Sequence, residues 1–443
     1  MSKLEEPTNE ASAMQKEISA IAEQGGGTTK VEQLIQQYCP DGVEYMPLYS
    51  ITEQFSGMTG VSNKWAESGN CMFIDYMNVY KHLSVDTSAL KYATVKSLNQ
   101  NTLMKGDILF TSASETPDEC ALSAVIETDI QEGIFLDDHL FGLRLLDEYR
   151  TLISPSYLKY AFRSPWFRSQ VRKVVRGVTR NYVSKTDFMK LTIPVPPLPV
   201  QEEIVRILDI LTELQAELQA ELQKRLQQYE YYKWSIFEGL SCPTKHITDV
   251  ALVKARVGWQ RLTTAEYQSI GDYYLITGTD FKNGKIDFGN CVFVSKERYE
   301  MDPNIIVGKG DILITKDGTL GKVAFLEDEP NKPTTLNSGV FRIHTTDPKV
   351  SPRYLFHYFT SKYFTDFVNS VKTGSTIPHL TQQGLVSLNI PIPSLEEQNR
   401  VVSILDRFDT LTTDITAGLP AEIEARRKQY EYYRDKLLTF KKK

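Results

Sequence analysis

The sequence predicts an α+β protein: two β-rich domains joined by two long helices packed as an antiparallel coiled coil, with internal pseudo-twofold symmetry. Three observations carry this. The 443-residue chain states one pattern twice. Ile193-Pro194-Val195-Pro196, Leu198, Gln201 and Ile207-Leu208-Asp209 return as Ile390-Pro391-Ile392-Pro393, Leu395, Gln398 and Ile404-Leu405-Asp406, offset by 197 residues (193 against 390). A repeat of that length is far longer than a solenoid unit and can fold as a domain. Each copy is preceded by short strand-like runs and followed by a long helical stripe. A second pair, Gln228-Tyr229-Glu230-Tyr231-Tyr232 and Gln429-Tyr430-Glu431-Tyr432-Tyr433, closes each helix.

The elements follow in order. Residues 1–27 are polar, end in Gly25-Gly26-Gly27 and read as a flexible tail. Residues 28–195 form the first domain: a short amphipathic helix from Val31 to Tyr38, a turn at Cys39-Pro40-Asp41-Gly42, then strand-like runs as far as Leu146. Ser154-Pro155 places a capping hydroxyl before a proline at the first helical position, Ser164-Pro165 restarts the helix, and Gly177 ends the second of these helices.

Ile-Pro-x-Pro is too proline-rich for a helix or central strand and reads as an extended exit. Residues 196–240 are the long spacer helix. Leu208, Leu211, Leu214, Leu218, Leu222 and Leu226 recur every three or four residues, and the helix spans roughly 60 Å at 1.5 Å per residue. It contains a four-residue tandem repeat, Thr212-Glu213-Leu214-Gln215, Ala216-Glu217-Leu218-Gln219 and Ala220-Glu221-Leu222-Gln223.

Residues 241–392 are the second domain. Lys309-Gly310-Asp311-Ile312-Leu313 answers Lys105-Gly106-Asp107-Ile108-Leu109, Ser351-Pro352 answers Ser154-Pro155, and Gly374 answers Gly177. Residues 393–443 are the second long helix, with a break expected at Gly418-Leu419-Pro420.

Composition narrows the function. Five cysteines without a CxxC pair oppose a disulfide framework or structural zinc and fit a reducing cytoplasm. No apolar run is long enough for a membrane helix, and Met1 to Gln24 lacks the pattern of a signal peptide. Net charge is −6, yet Lys159 to Lys190 holds nine basic residues against the single acid Asp187. Phosphate binding needs only such a local basic surface.

Catalytic motifs are missing. Gly318-Thr319-Leu320-Gly321-Lys322-Val323 has neither the leading glycine of a phosphate loop nor the hydroxyl that binds magnesium. Asp107 and Asp311 read as turn punctuation rather than nuclease acids. No catalytic residue, metal ligand or cofactor site is assigned to this chain.

The duplicated Ile-Pro-x-Pro exits, the Gln-containing helix starts, the Tyr-Glu-Tyr-Tyr ends and Cys39-Pro40-Asp41-Gly42-Val43 resemble the DNA-specificity subunit of Type I restriction-modification systems, over the chain from about Val31 onward. The resemblance implies two target-recognition domains, each reading half of a split, asymmetric double-stranded DNA site. It implies a non-catalytic subunit that docks two modification (methyltransferase) subunits and restriction motor subunits. S-adenosylmethionine, ATP and magnesium are then expected in those partners, which methylate adenine and cleave DNA.

Candidate DNA contacts are the polar loops after each helix pair. In the first domain these are Arg176, Gly177, Thr179, Arg180, Asn181 and Lys185. In the second they are Lys372, Thr373, Gly374, Ser375, Thr376 and His379, with Lys316 from a neighbouring loop. Arg and Asn can read guanine and adenine edges, and glycine lets the backbone approach a duplex. Tyr76, Asn78, Lys81 and His82 form a weaker set. Tyr229, Tyr232, Tyr430 and Tyr433 are candidate partner contacts.

Overall fold

A computed structural model describes residues 30–443 apart from 178–179, 258–261, 375–377 and 414–417. The tail expected over 1–27 lies outside the described residues, as do Thr179, Ser375 and Thr376. The chain divides into two compact units. One comprises residues up to Glu217 together with Glu424–Lys443, the other Leu218–Ile423. Each long helical region is thus shared out, because its apolar stripe is buried segment by segment in whichever core it adjoins.

The units repeat one architecture. In unit 1 a four-stranded antiparallel sheet runs Thr52–Ser56, Leu140–Leu145, Ile108–Thr111, Ser123–Val125; in unit 2 it runs Ala251–Ala255, Val340–Thr345, Ile312–Thr315, Val323–Phe325. The central strands Ile108–Thr111 and Ile312–Thr315 are buried at every residue, as expected of strands covered on both faces. A second sheet in each unit ends in a parallel pair, Cys71–Ile74 with Ile134–Leu136 and Tyr273–Ile276 with Thr334–Leu336. Phe110 stacks on Phe141 at 5.2 Å and meets Phe162 and Phe188 edge-on, so aromatic packing joins sheet to helices in unit 1.

The repeated motifs have physical roles. Asp107 accepts from the Met104 amide at 2.9 Å and takes two bonds of 2.7 Å from Arg144, while Gly106 turns the chain at φ +91°. Asp311 likewise accepts from the Gly308 amide and Arg342. These aspartates staple a turn to its sheet. Gln201 and Gln398 are fully buried. Gln201 accepts from the Ser154 amide (2.9 Å) and donates to the carbonyls of Leu152 (2.8 Å) and Pro196 (2.6 Å). Gln398 does the same for Ser351, Lys349 and Pro393. One side chain thereby fastens the exit segment, the helix start and the loop before the helix pair.

The exit segments are also short strands, Thr192–Pro194 with Tyr45–Pro47 and Asn389–Pro391 with Thr244–His246. The first long helix covers Leu198–Glu238 and the second region is two helices, Leu395–Thr413 and Leu419–Leu437, with Gly418-Leu419-Pro420 at the restart. Within unit 1 the pairing is antiparallel. Lys30 bridges Glu203 and Glu32 bridges Lys436, whereas further along the first helix Thr212 bonds Tyr430, further back in the second.

Two cap expectations change. The helices ascribed to Gly177 and Gly374 end earlier, at Val174 and Val371, because the next residue is already extended. Ser351 caps as expected and Ser164 also caps the helix it restarts, but the Ser154 hydroxyl makes no capping bond.

Candidate nucleic-acid interface

In unit 2 two candidate segments far apart in sequence are brought together. Thr373 and His379 exchange backbone hydrogen bonds (2.9 and 2.8 Å), the Leu380 amide donates to the Lys316 carbonyl (2.9 Å), and the His379 ring lies 2.6 Å from the Asp317 carboxylate. Thr315 ties the turn through the Lys322 amide and the Thr319 carbonyl. Gly318 at φ +71° permits the reversal. The Lys316 ammonium rests over Phe341, 5.3 Å from the ring centre. Lys372 and Thr373 are exposed, and among the described residues the Lys372 ammonium hydrogen-bonds Asn369 alone.

Unit 1 builds the same region as a three-stranded sheet of Val175–Arg176, Asn181–Val183 and Ala113–Ser114. Gly177, at φ +110°, closes the hairpin; a Cβ there would lie 2.2 Å from the Arg180 carbonyl. Arg180 is exposed and has no side-chain partner among the described residues. Arg176 pairs with Asp187 at 2.8 Å, and with Lys190 and Ser184 it holds that carboxyl down to about 2. Lys185 reaches the Ser56 hydroxyl at 3.2 Å and burial lowers its pKa.

Asn181 is a correction. It is buried and its amide donates to the Glu115 carbonyl, so it holds the hairpin rather than facing a base. Asn78 is likewise buried and bonded to both the amide and the carbonyl of Asp86. A residue missed from sequence is Tyr182, 51% exposed on the hairpin opposite Arg176; its place in an alternating strand was the available signal.

Three of the nine basic residues, Lys159, Arg163 and Arg168, turn inward. Lys159 is buried against Asp209 (2.9 Å) and Glu127 (3.1 Å). Arg163 donates to the carbonyls of Ser123, Val79, Tyr80 and His82, and Arg168 to those of Ala121, Asp118 and Cys120. Burial pushes both guanidiniums down to about 10, still charged at neutral pH. Arg172 pairs with Asp118. The other six are exposed: among the described residues Lys173 and Arg180 have no side-chain partner, whereas Arg172, Arg176, Lys185 and Lys190 are each partly engaged.

The tyrosines separate by helix face. Tyr229 is buried, stacks on Phe408 at 5.7 Å and donates to Asp409 at 2.6 Å; burial raises its pKa. Tyr430 bonds Thr212, and burial raises its pKa too. These two belong to helix pairing, which corrects their assignment as partner contacts. Tyr232 stays 41% exposed beside Phe408, and Tyr433 is half-buried against Tyr432. The remaining tyrosines of the two clusters, Tyr231 and Tyr432, are each 62% exposed.

Two acidic clusters among the described residues have metal-like composition, Asp137-Asp138-His139 and His357-Asp406-Asp409. In each a protein cation already pairs with the carboxylates. Lys64 contacts Asp137 (2.9 Å), Asp138 and the His139 ring (3.2 Å), while Arg353 contacts Asp406 at 2.8 Å.

The family described as Type I restriction modification DNA specificity domain matches residues 40–228 and again 244–425, the two halves of the repeat. This chain belongs to that family. It is 38% identical over 277 residues to a putative type I restriction enzyme specificity subunit of Haemophilus influenzae, covering 60% of this chain and 68% of that one. It is 33% identical over 323 residues to the EcoR124I/EcoR124II specificity subunit of Escherichia coli, covering 67% and 73%.

Among solved structures, a chain from work on complex assembly and conformational transition of the type I system aligns with TM-score 0.58 at 17% identity, covering 90% of this chain and 98% of that one. The S subunit of M. genitalium aligns with TM-score 0.50 at 13% identity, covering 90% and 96%. These likenesses show the fold. As a specificity subunit, the chain is the DNA-recognition component of its system. No described helix is long and apolar enough to cross a membrane.

Proposed function

We propose that this specificity subunit reads a split, asymmetric double-stranded DNA site, one half per unit, and positions two modification subunits and the restriction subunits on it. The observation that carries the reading is the duplicated interface. Both units bring a polar segment after the helix pair against a second loop, at Asn181–Tyr182 beside Ala113–Ser114 and at His379–Leu380 beside Lys316–Asp317. Arg180, Arg176 and Lys185 serve phosphates and base edges in one half, Lys316, Lys372, Thr373 and His379 in the other. Gly177 and Gly374 keep those turns tight. Tyr232 and Tyr433, with Tyr231 and Tyr432, suit protein docking, since tyrosine is favoured at interface centres. S-adenosylmethionine, ATP and magnesium belong to the partner subunits, which supply adenine methylation and cleavage.

The test is selection of bound duplexes from a random library by the purified complex of this chain with its modification subunits. Two short blocks separated by a constant gap are expected. Recovery of unselected sequence, or of a single uninterrupted block, contradicts the reading.

A further inference from the structure

We propose that Trp65 is a stacking wedge of unit 1, placing its indole against a base of the half-site that this unit reads. The inference rests on the DNA-reading assignment above and deepens it by adding a third segment to that interface.

Trp65 is 53% exposed although it is the largest kind of side chain. Its backbone sits at φ +69° and that of Asn63 at φ +49°, in the left-handed region that bulky residues avoid. The cause is local: Val61–Ala66 loses register against Lys91–Val95 between Ser62 and Ala66, and such a bulge re-aims the side chains it carries. Burial is what an unconstrained indole would gain most from. Here the backbone is strained and the indole is still shown to solvent, so this presentation has a use outside the unit's own core.

The wedge has a fixed base. Trp65 meets the buried ring of Phe73 edge-on at 5.7 Å, and the Lys64 ammonium lies 5.5 Å from the indole centre. Lys64 is in turn clamped by Asp137, Asp138 and His139.

The same clamp joins the wedge to the candidate interface. The His139 carbonyl accepts from the Ser112 amide at 3.1 Å, and the Ser112 carbonyl accepts from the Val183 amide at 3.2 Å. Ala113 then pairs with Tyr182, which pairs with Arg176. Charge favours a base over a phosphate as the occupant. Lys64 is already neutralised, and the partly exposed Asp138 carboxylate repels phosphate yet accepts from an exocyclic amine. In a duplex an aromatic wedge enters at an opened base step, where its face can stack on any base.

The experiment uses the full chain assembled with its modification subunits. Trp65→Gly and Trp65→Ala are titrated against a duplex carrying the selected site and one with only the unit 1 half scrambled. Glycine accepts the left-handed conformation without strain, so Trp65→Gly is expected to assemble and to melt at or above the temperature of Trp65→Ala. Both variants are expected to lose about 5- to 150-fold in affinity for the intact site, the range that stacking on one base supplies. Neither should change affinity for the scrambled duplex, on which unit 1 does not seat and the indole meets no base.

Parent-like affinity of both variants overturns the wedge while leaving DNA reading intact. Failure of the parent itself to prefer the intact duplex overturns the DNA reading first, and the wedge with it. Loss of modification-subunit binding by an otherwise stable Trp65→Gly assigns Trp65 to a protein contact instead, which also overturns the proposal.

Discussion

Replacing Gln201 by Met keeps the side chain's length and removes all its polar atoms. Gln201 is 0% exposed and serves three backbone groups: the Ser154 amide and the Leu152 and Pro196 carbonyls. Each buried group left unpaired costs roughly 1–3 kcal/mol. Taking the low end for all three gives about 3 kcal/mol. For a unit of roughly 200 residues this lowers the midpoint by about 6–12 °C. Gln398→Met removes the matching bonds in unit 2 and is expected to cost the same. Hydrogen exchange followed by peptide separates the two. Gln201→Met should speed exchange in the sheet Thr52–Ser56, Leu140–Leu145 and Ile108–Thr111, and Gln398→Met in Ala251–Ala255, Val340–Thr345 and Ile312–Thr315. Variants within about 0.5 kcal/mol of the parent, the ordinary range for surface changes, refute the clasp. Equal loss of protection in both units from either variant refutes the idea of two separately fastened cores.

Arg180→Ala is expected to weaken the complex's affinity for its site by about 1–3 kcal/mol without lowering the melting temperature. Arg163→Ala, which strips four backbone carbonyls of their donor, should instead destabilise unit 1; the opposite pattern in binding and melting curves reverses the assignments. Inserting one Ala-Glu-Leu-Gln after Gln223 lengthens the helix by about 6 Å and should widen the gap in the methylated site while both half-sites persist. An unchanged gap removes the ruler. Acid should weaken both units. Burial alone raises Asp406, but hydrogen bonds from His357 and Arg353 outweigh it and hold the carboxyl below 3.8. Burial also raises Glu127, and Ser156, Ser84 and Lys159 hold it below 4.5. The unfolded chain therefore takes these protons first, so the stabilisation is complete above about pH 5 and lost as pH falls through and below the range near 4. Urea midpoints that rise on acidification contradict this.

Much of the fold is legible because repetition removes ambiguity. Two copies of Leu-x-x-Gln after Pro-x-Pro fix both helix starts, and both glutamines perform the same threefold bonding. The site is less legible because composition gives charges but not their partners. Arg163 and Arg168 belong to the same basic run as Arg180, yet they fill carbonyl clusters donated by distant loops. Asn181 and Tyr182 are adjacent, and strand alternation decides that the first is buried and the second exposed. Tyr229 was readable in principle. It continues the stripe of Leu222 and Leu226 at three- and four-residue steps, which marks the packed face, whereas Tyr231 falls on the other. Gly177 suggests a helix end until Val175–Arg176 and Asn181–Val183 are seen to form a hairpin around it.

The central claim is that this chain chooses the sequence its system modifies. The direct measurement is a genome-wide methyladenine map of cells with and without this gene, keeping the partner genes intact. The account predicts that deletion removes methylation at one motif, two short blocks around a fixed gap, and leaves all other methylation untouched. A map that keeps every methylated motif in an otherwise active system contradicts it.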